Sequence, residues 1–90
     1  MQEKQERVNQ THMGIIGSNI KKMRIEKGLR ASEVIAKLQL LNISISSTSF
    51  SKIEHGVTNP SVALLVGLTR VFNCEFNDFF EGAEKYLGNV

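Results

Sequence analysis

The sequence predicts an all-α domain of five helices. Apolar residues recur three or four positions apart along most of the chain, serines occur where helices would begin, and glycine or asparagine occurs where they would end. The 90 residues suffice for one small domain, and the single cysteine excludes an intrachain disulfide. No run is apolar enough to span a membrane and no secretory signal is visible, so a cytoplasmic protein is expected.

Apolar spacing defines the first two helices. Ile16, Ile20 and Met23 mark the buried side of the first helix, and Gly28 ends it. The second helix begins near Ala31. Its inward-facing residues are expected to be Val34, Ile35, Leu38 and Leu41.

The third helix has two opposite faces. It follows the N-cap candidate Ser46 and ends at Gly56, where a left-handed residue is favoured. Phe50 and Ile53 are one turn apart and are expected to be buried. A short helix with small polar side chains around one cation on its other face suits insertion into the DNA major groove. The residues of that face are Thr48, Ser51, Lys52 and His55.

Ser61, which follows Pro60, is predicted to cap the fourth helix. Gly67 inside this helix costs about 1 kcal/mol relative to alanine, and either permits a close approach or is simply tolerated. Asn73 is expected to end the helix in the left-handed conformation, and residues 76–80 to form the fifth helix. The buried side of the fourth helix is predicted to carry Leu64, Leu65, Leu68 and Val71.

Residues 42–48 also alternate apolar and polar types, as a strand would. No other segment alternates in this way, so such a strand would have no partner. Ile43 and Ile45 are therefore predicted to pack a long turn against the core, with helix from Ser46 onward.

Four segments in a fixed order carry a family resemblance: residues 23–29 (MRIEKGL), 51–56 (SKIEHG), 59–61 (NPS) and 71–80 (VFNCEFNDFF). In these the chain resembles the phage-repressor and Cro type of helix-turn-helix domain, the Xre family. The resemblance implies a lambda-repressor-like fold over residues 14–81. Residues 1–13 would then be a flexible N-terminal tail and residues 82–90 a C-terminal tail that is a possible dimer contact.

The resemblance implies a sequence-specific transcriptional regulator, of repressor type, that binds double-stranded operator DNA. Its third helix would lie in the major groove and its second across the backbone. The residues expected to bind DNA are Arg30, Ser46, Ser47, Thr48, Ser51, Lys52, His55, Thr58 and Asn59.

Three departures from the family pattern affect this expectation. The connection between the second and third helices is about five residues longer than the usual tight turn, through residues 39–43. Ala31 replaces a glutamine that often holds a phosphate oxygen, and Arg30 is expected to take over that contact. Ser47 and Thr48 occupy base-reading positions with small side chains, so shape and backbone contacts are expected to carry more of the recognition.

The resemblance also implies a structural ion pair between Arg24 and Glu54. In such repressors the arginine four residues before the first glycine pairs with the glutamate two residues before the second. Both spacings hold here, counted back from Gly28 and Gly56. The alternative is two independent surface charges.

The net charge of +2 permits nucleic-acid binding without arguing for it. The cations are concentrated in the first two helices, which flank the DNA backbone in the family fold; an ordinary solvated face is the alternative. A mobile tail is favoured over a DNA-contacting arm for the polar N-terminal residues. The clustered cations are Lys21, Lys22, Arg24, Lys27, Arg30 and Lys37.

Nothing in the sequence predicts an enzyme, a cofactor or a metal site. His12, His55 and Cys74 are far apart in sequence, and no ligand spacing for zinc or phosphate-binding loop is present. Cys74 is expected to be a small buried apolar residue. The competing function is a protein-interaction module, a repressor-like fold that binds an antirepressor, a toxin or another regulatory protein partner.

A homodimer is expected, because a single recognition helix with small side chains contacts few bases. The C-terminal region supplies more aromatic area than the fifth helix needs for its own burial. The alternative is that Phe76 and Phe80 close the monomer core. The predicted contact residues are Phe76, Phe79, Phe80, Tyr86 and Leu87.

Overall fold

The fold is all-α, as the sequence predicts. The computed structural model describes residues 6–10 and 14–87, and side chains up to residue 85. In that part of the chain there is no β-strand, only an isolated bridge between Arg7 and Ser61. The elements are α1 (Ile15–Glu26), α2 (Ala31–Leu40), α3 (Ser47–Glu54), α4 (Val62–Phe72) and two 3-10 helices (Phe76–Phe80 and Ala83–Leu87).

Each α-helix is followed by a residue with positive φ. These residues are Gly28, Asn42, Gly56 and Asn73, with φ of 68°, 63°, 75° and 53°. After each of them the next backbone N–H donates back to a carbonyl in the last helical turn, as in Val57 N to Lys52 O at 2.8 Å. This arrangement satisfies carbonyls that a helix end leaves without partners, and glycine and asparagine adopt it at the lowest cost.

At their starts, α3 and α4 are capped by serine. The Ser46 hydroxyl accepts from Ser49 N at 3.1 Å, and the Ser61 hydroxyl accepts from Leu64 N at 3.0 Å. Both caps confirm the sequence prediction, and they place the first turns of the two helices where the serines occur.

One apolar core joins all four α-helices and the first 3-10 helix. Leu41 does not belong to it: α2 ends at Leu40, and Leu41 turns outward with 38% of its surface exposed. Val71 is only partly buried. The fully buried apolar residues are Ile16, Ile20, Val34, Leu38, Phe50, Ile53, Leu64, Leu65, Leu68, Phe72 and Phe79.

The connection between α2 and α3 differs in detail from the prediction. Gln39 and Leu40 continue α2, so the connection comprises residues 41–46. Asn42 ends the helix, and Ile43 N then donates to Leu38 O at 3.0 Å. Ile43 and Ile45 pack against the core, as predicted. A Cβ on Gly67 would lie 2.4 Å from Ile43 Cδ1, so this glycine does permit a close approach.

The predicted fifth helix is a 3-10 helix packed against α1. Asn19 of α1 donates from Nδ2 to the carbonyls of Phe79 and Glu81, at 2.8 and 3.0 Å. Phe79 is therefore buried, and placing it on a dimer surface was wrong. The alternative was also wrong, because Phe76 and Phe80 are 47% and 38% exposed.

Residues 6–10 lie against the α3–α4 connection and are not a free tail. Val8 N donates to Pro60 O at 2.9 Å, and Val62 N donates to Glu6 O at 2.7 Å. The side chain of Gln10 is buried. This segment therefore differs from the favoured mobile tail, because its polar groups bond to backbone atoms of the α3–α4 region and Val8 packs against the core. The rest of the predicted tail lies outside the described residues.

Candidate nucleic-acid interface

The outer face of α3 carries exposed polar side chains and a cation. Phe50 and Ile53 are buried on the inner face. Thr48, Ser51, Lys52 and His55 are exposed on the other. An α-helix with its side chains is about 10–12 Å across, which matches the width of the DNA major groove, about 12 Å.

His55 is oriented by the last turn of α3. Its Nδ1 lies 2.7 Å from Ser51 O and 3.3 Å from Ser51 Oγ. Because a carbonyl oxygen only accepts, Nδ1 carries the proton and donates, which turns Nε2 outward. Lys52, on the same face, has no carboxylate within 4 Å among the described residues.

The serines at the start of α3 differ in their availability. The Ser46 hydroxyl caps the helix and also donates to Ser49 Oγ at 3.0 Å. Ser47 and Thr48, in the first turn, are exposed, with no side-chain hydrogen bond of their own among those found in the described residues. The two positions expected to read bases are therefore open to a ligand.

Arg30 precedes α2 and is the most exposed partner of an ion pair. The Glu33 carboxylate accepts from the Arg30 backbone N–H at 2.9 Å and from Arg30 Nε at 3.3 Å. The backbone hydrogen bond, followed by the guanidinium, lowers the pKa of Glu33. The Arg30 side chain is 85% exposed, so an exchange of Glu33 for a phosphate would cost little.

Arg24 and Glu54 form a buried, two-pronged ion pair between α1 and α3. Arg24 Nε donates to Glu54 Oε2 at 2.8 Å and Nη2 donates to Oε1 at 3.1 Å. A third bond runs from Nη1 to Leu29 O at 3.1 Å. The two side chains are 15% and 5% exposed, and the hydrogen bond with Glu54 raises the pKa of Arg24. The pair fixes α3 relative to α1 on the side away from the outer face.

Gln10 holds the far end of α3, and the sequence analysis did not identify it. Its Nε2 donates to Ile53 O at 2.9 Å and to Thr58 O at 2.8 Å, and its Oε1 accepts from Gly17 N at 2.6 Å. One side-chain amide thus provides hydrogen-bond partners for a backbone carbonyl at the end of α3 and for a backbone N–H at the start of α1, where Gly14 provides no side-chain cap. The bonds to Ile53 and Thr58 join residues 43 or more positions apart in sequence, so no local sequence pattern predicts them.

Thr58 and Asn59, both expected to bind DNA, are half-buried beside residues 6–10. Asn59 Oδ1 accepts from Gln10 N at 2.9 Å, and Asn59 O accepts from Arg7 Nη1 at 2.8 Å. The oxygens of Asn59 are thus used within the protein, and its amide Nδ2 is the group that remains for a ligand.

Gly17 lets α1 and α3 approach each other closely, and it too was missed. A Cβ built at this position would lie 1.9 Å from Ile53 O and 3.0 Å from Glu54 C. A glycine among isoleucines in a helix interior is the signal that could have found it.

Two further findings concern other kinds of site. Within residues 6–10 and 14–87, no three His, Cys, Asp or Glu side chains are grouped to hold a metal, and no helix is long and apolar enough to cross a membrane. Cys74 is half-buried against the core, and desolvation raises its pKa. His12 lies outside the described residues.

The chain is similar to the HTH-type transcriptional regulator DdrOP3 of Deinococcus deserti, with 33% identity over 67 residues. The match covers 74% of this chain and 48% of that protein, so the chain spans about half the length of this curated relative. No protein-family model matches the chain, and no solved structure matches it. With the arrangement of α2, the connection and α3, the similarity supports a helix-turn-helix protein.

Proposed function

We propose that the protein is a sequence-specific DNA-binding transcriptional regulator of the Xre/Cro repressor type. One observation carries the proposal: α3 presents Thr48, Ser51, Lys52 and His55 outward while its inner face is fixed to α1 by the Arg24–Glu54 pair. A reading helix must be both accessible and rigidly oriented, and α3 is both. The similarity to an HTH-type regulator supports the same function.

In this proposal α3 enters the major groove and α2 crosses the backbone. Ser47, Thr48, Ser51 and Lys52 approach base edges, and the outward Nε2 of His55 lies nearer the phosphates. Arg30, exposed at the start of α2, exchanges Glu33 for a phosphate oxygen. A hydroxyl group can hydrogen-bond to more than one type of base and so discriminates weakly between them. The shape and deformability of the DNA therefore supply part of the specificity.

The Xre/Cro assignment rests on the structural roles of the four resembling segments. Residues 23–29 contain the Arg24 partner and the end of α1; residues 51–56 contain Glu54 and the end of α3. Residues 59–61 contain the cap of α4, and residues 71–80 lead from α4 into the 3-10 helix that closes the core. Each segment therefore supplies a contact, a helix end or a cap that the fold uses.

Lys52→Ala is expected to weaken operator binding about tenfold, and Thr48→Ala to change base preference at one position by about 1 kcal/mol. The measurement is affinity against a library of duplexes by gel shift and sequencing of the bound fraction. Arg70→Ala, which removes one positive charge from an exposed position near the end of α4, is the matched control. If Lys52→Ala and Thr48→Ala bind every duplex as wild type does, α3 does not read DNA.

We propose further that the protein binds its operator as a homodimer. Two copies of α3 related by a twofold axis double the base contacts and would lie about 34 Å apart along the duplex, one helical turn. Phe76 and Phe80 support this proposal, because they are large apolar side chains left exposed beside the core. The side chains of Tyr86 and Leu87, also predicted at this contact, lie outside the described residues.

Phe80→Ser is expected to shift the protein from dimer toward monomer in sedimentation, and to convert cooperative operator binding into stepwise binding. Leu40→Ser is the control, since Leu40 is a large apolar side chain, 85% exposed at the end of α2, and belongs to neither the proposed DNA contacts nor the proposed dimer contact. A version ending at Glu81 tests whether residues 82–90 contribute to the contact. A wild-type monomer that binds one copy per operator would contradict the proposal.

A further inference from the structure

A cleft of about 460 Å³ lies between the α2–α3 connection, α3 and the start of α4, with Arg7 at its edge. Arg7 and Lys52 line it, together with the hydroxyl-bearing residues Ser44, Ser49 and Thr58. Among the described residues that line it there is no aspartate or glutamate. Two cations and several hydroxyl groups, with no carboxylate among the described lining residues, suit the binding of an anion.

The guanidinium of Arg7 is held in place at this cleft. Its Nη1 donates to Asn59 O at 2.8 Å, and on either side of it Glu6 O accepts from Val62 N of α4 and Val8 N donates to Pro60 O. An arginine side chain has five N–H donors, so one backbone carbonyl leaves most of them for a ligand. Among the described residues no carboxylate lies within 4 Å of Arg7.

Lys52 connects this cleft to the outer face of α3. Lys52 follows Thr48 by one helical turn, so the two residues share the exposed outer face of α3. The side chain of Lys52 also lines the cleft. A DNA strand that contacts Lys52 therefore passes the mouth of the cleft. The oxygens of one phosphate match the fork of a guanidinium, and Arg7 is already oriented there.

We propose that this cleft receives a backbone phosphate of bound DNA, with Arg7 as its main ligand. The inference rests on the proposed DNA-binding function and extends it, because it makes residues 6–10 part of the interface. The backbone of this segment then supports the α3–α4 connection, and its arginine extends the contact with DNA beyond the recognition helix.

The test is the salt dependence of binding to a mixed-sequence duplex, because a phosphate contact is independent of base sequence. Log affinity should fall linearly with log salt, by about 0.9 per phosphate neutralised. Arg7→Ala should reduce the slope of log affinity against log salt by about 0.9. The loss of counterion release at that one phosphate should by itself weaken binding about fivefold at 0.15 M salt. Arg7→Lys should keep nearly all of the wild-type steepness, because it keeps the charge.

Arg70→Ala is the matched control. Arg70 is exposed near the end of α4, six residues after Leu64, the last residue of α4 that lines the cleft, or about 9 Å along the helix. It loses the same charge and should leave the steepness unchanged. Thermal unfolding of each variant identifies any that loses the fold, and inorganic phosphate added at constant ionic strength shows whether a free anion occupies the cleft instead.

The outcomes separate the two proposals. Salt-dependent binding by wild type with an unchanged steepness in Arg7→Ala overturns the cleft site and leaves the DNA-binding function standing. An equal loss in Arg7→Ala and Arg7→Lys also overturns it, because Arg7 would then serve only to anchor the segment. Wild-type affinity that is indifferent to salt overturns the DNA-binding function itself and favours the protein-interaction module.

Discussion

Gly17→Ala is expected to lower the free energy of unfolding by about 2–3 kcal/mol, although alanine is the better helix former. The added Cβ would lie 1.9 Å from the carbonyl oxygen of Ile53, and a backbone atom cannot move aside as a side chain can. The gain in helix propensity is about 1 kcal/mol and offsets only part of the strain. For a domain of this size the melting temperature should fall by roughly 10–20 °C.

Gly67→Ala is the control for this prediction. It makes the same substitution inside α4, where the new Cβ would meet Ile43 Cδ1 at 2.4 Å and Leu38 Cδ2 at 2.8 Å. Both atoms are ends of flexible side chains, and Ile43 is only partly buried, so the neighbours can adjust. We expect a change within about 1 kcal/mol. Equal effects at Gly17 and Gly67 in thermal or urea unfolding would contradict the role of the α1–α3 approach.

The α-helices were predictable because their signals are local. Ser46 and Ser61 cap the helices that follow them, and Gly28 and Gly56 adopt positive φ where helices end. A cap and the apolar spacing behind it lie within one or two turns, so neighbouring residues suffice to recognise them. The type of the fifth helix was not predictable in this way, since 3-10 and α geometry differ over five residues by less than one turn.

The supporting contacts of the candidate site were not predictable, because they are long-range and polar. Gln10 and Arg7 meet the α3–α4 connection across 43 to 52 residues of sequence. A polar segment without apolar periodicity is typical of a tail. Here the carbonyls of Ile53, Thr58 and Asn59 and the N–H of Gly17 hold these two side chains in place. The outer face of α3 was predicted because it follows from helical spacing alone.

The burial of Phe79 shows the same limit. Three phenylalanines occur at 76, 79 and 80, and spacing alone does not decide which one faces the core. The choice is made by Asn19, which binds the carbonyls of Phe79 and Glu81 and so sets the rotation of the 3-10 helix against α1. A buried amide in the middle of α1 is visible in the sequence, but its partners are sixty residues away.

Glu54→Gln is expected to lower the free energy of unfolding by about 3–5 kcal/mol. The substitution keeps the size of the side chain but removes the charge that compensates Arg24, whose side chain is 15% exposed. Glu33→Gln is the matched control, because it removes a carboxylate charge from the exposed pair with Arg30. Its effect on the free energy of unfolding should be much smaller, because water screens an exposed pair. Urea unfolding of the two variants measures the difference.

The same pair is expected to affect recognition more than affinity. Without Glu54, α3 loses the bond that sets its angle to α1, so the ratio of operator to mixed-sequence affinity should fall even where Glu54→Gln is folded. Replacing both partners by apolar residues, Arg24→Met with Glu54→Leu, should recover most of the stability, because no buried charge is left unpaired. It should not recover the ratio, since apolar contacts are not directional and cannot replace two hydrogen bonds of 2.8 and 3.1 Å. A double variant with wild-type stability and wild-type discrimination would show that the pair stabilises the fold without orienting α3.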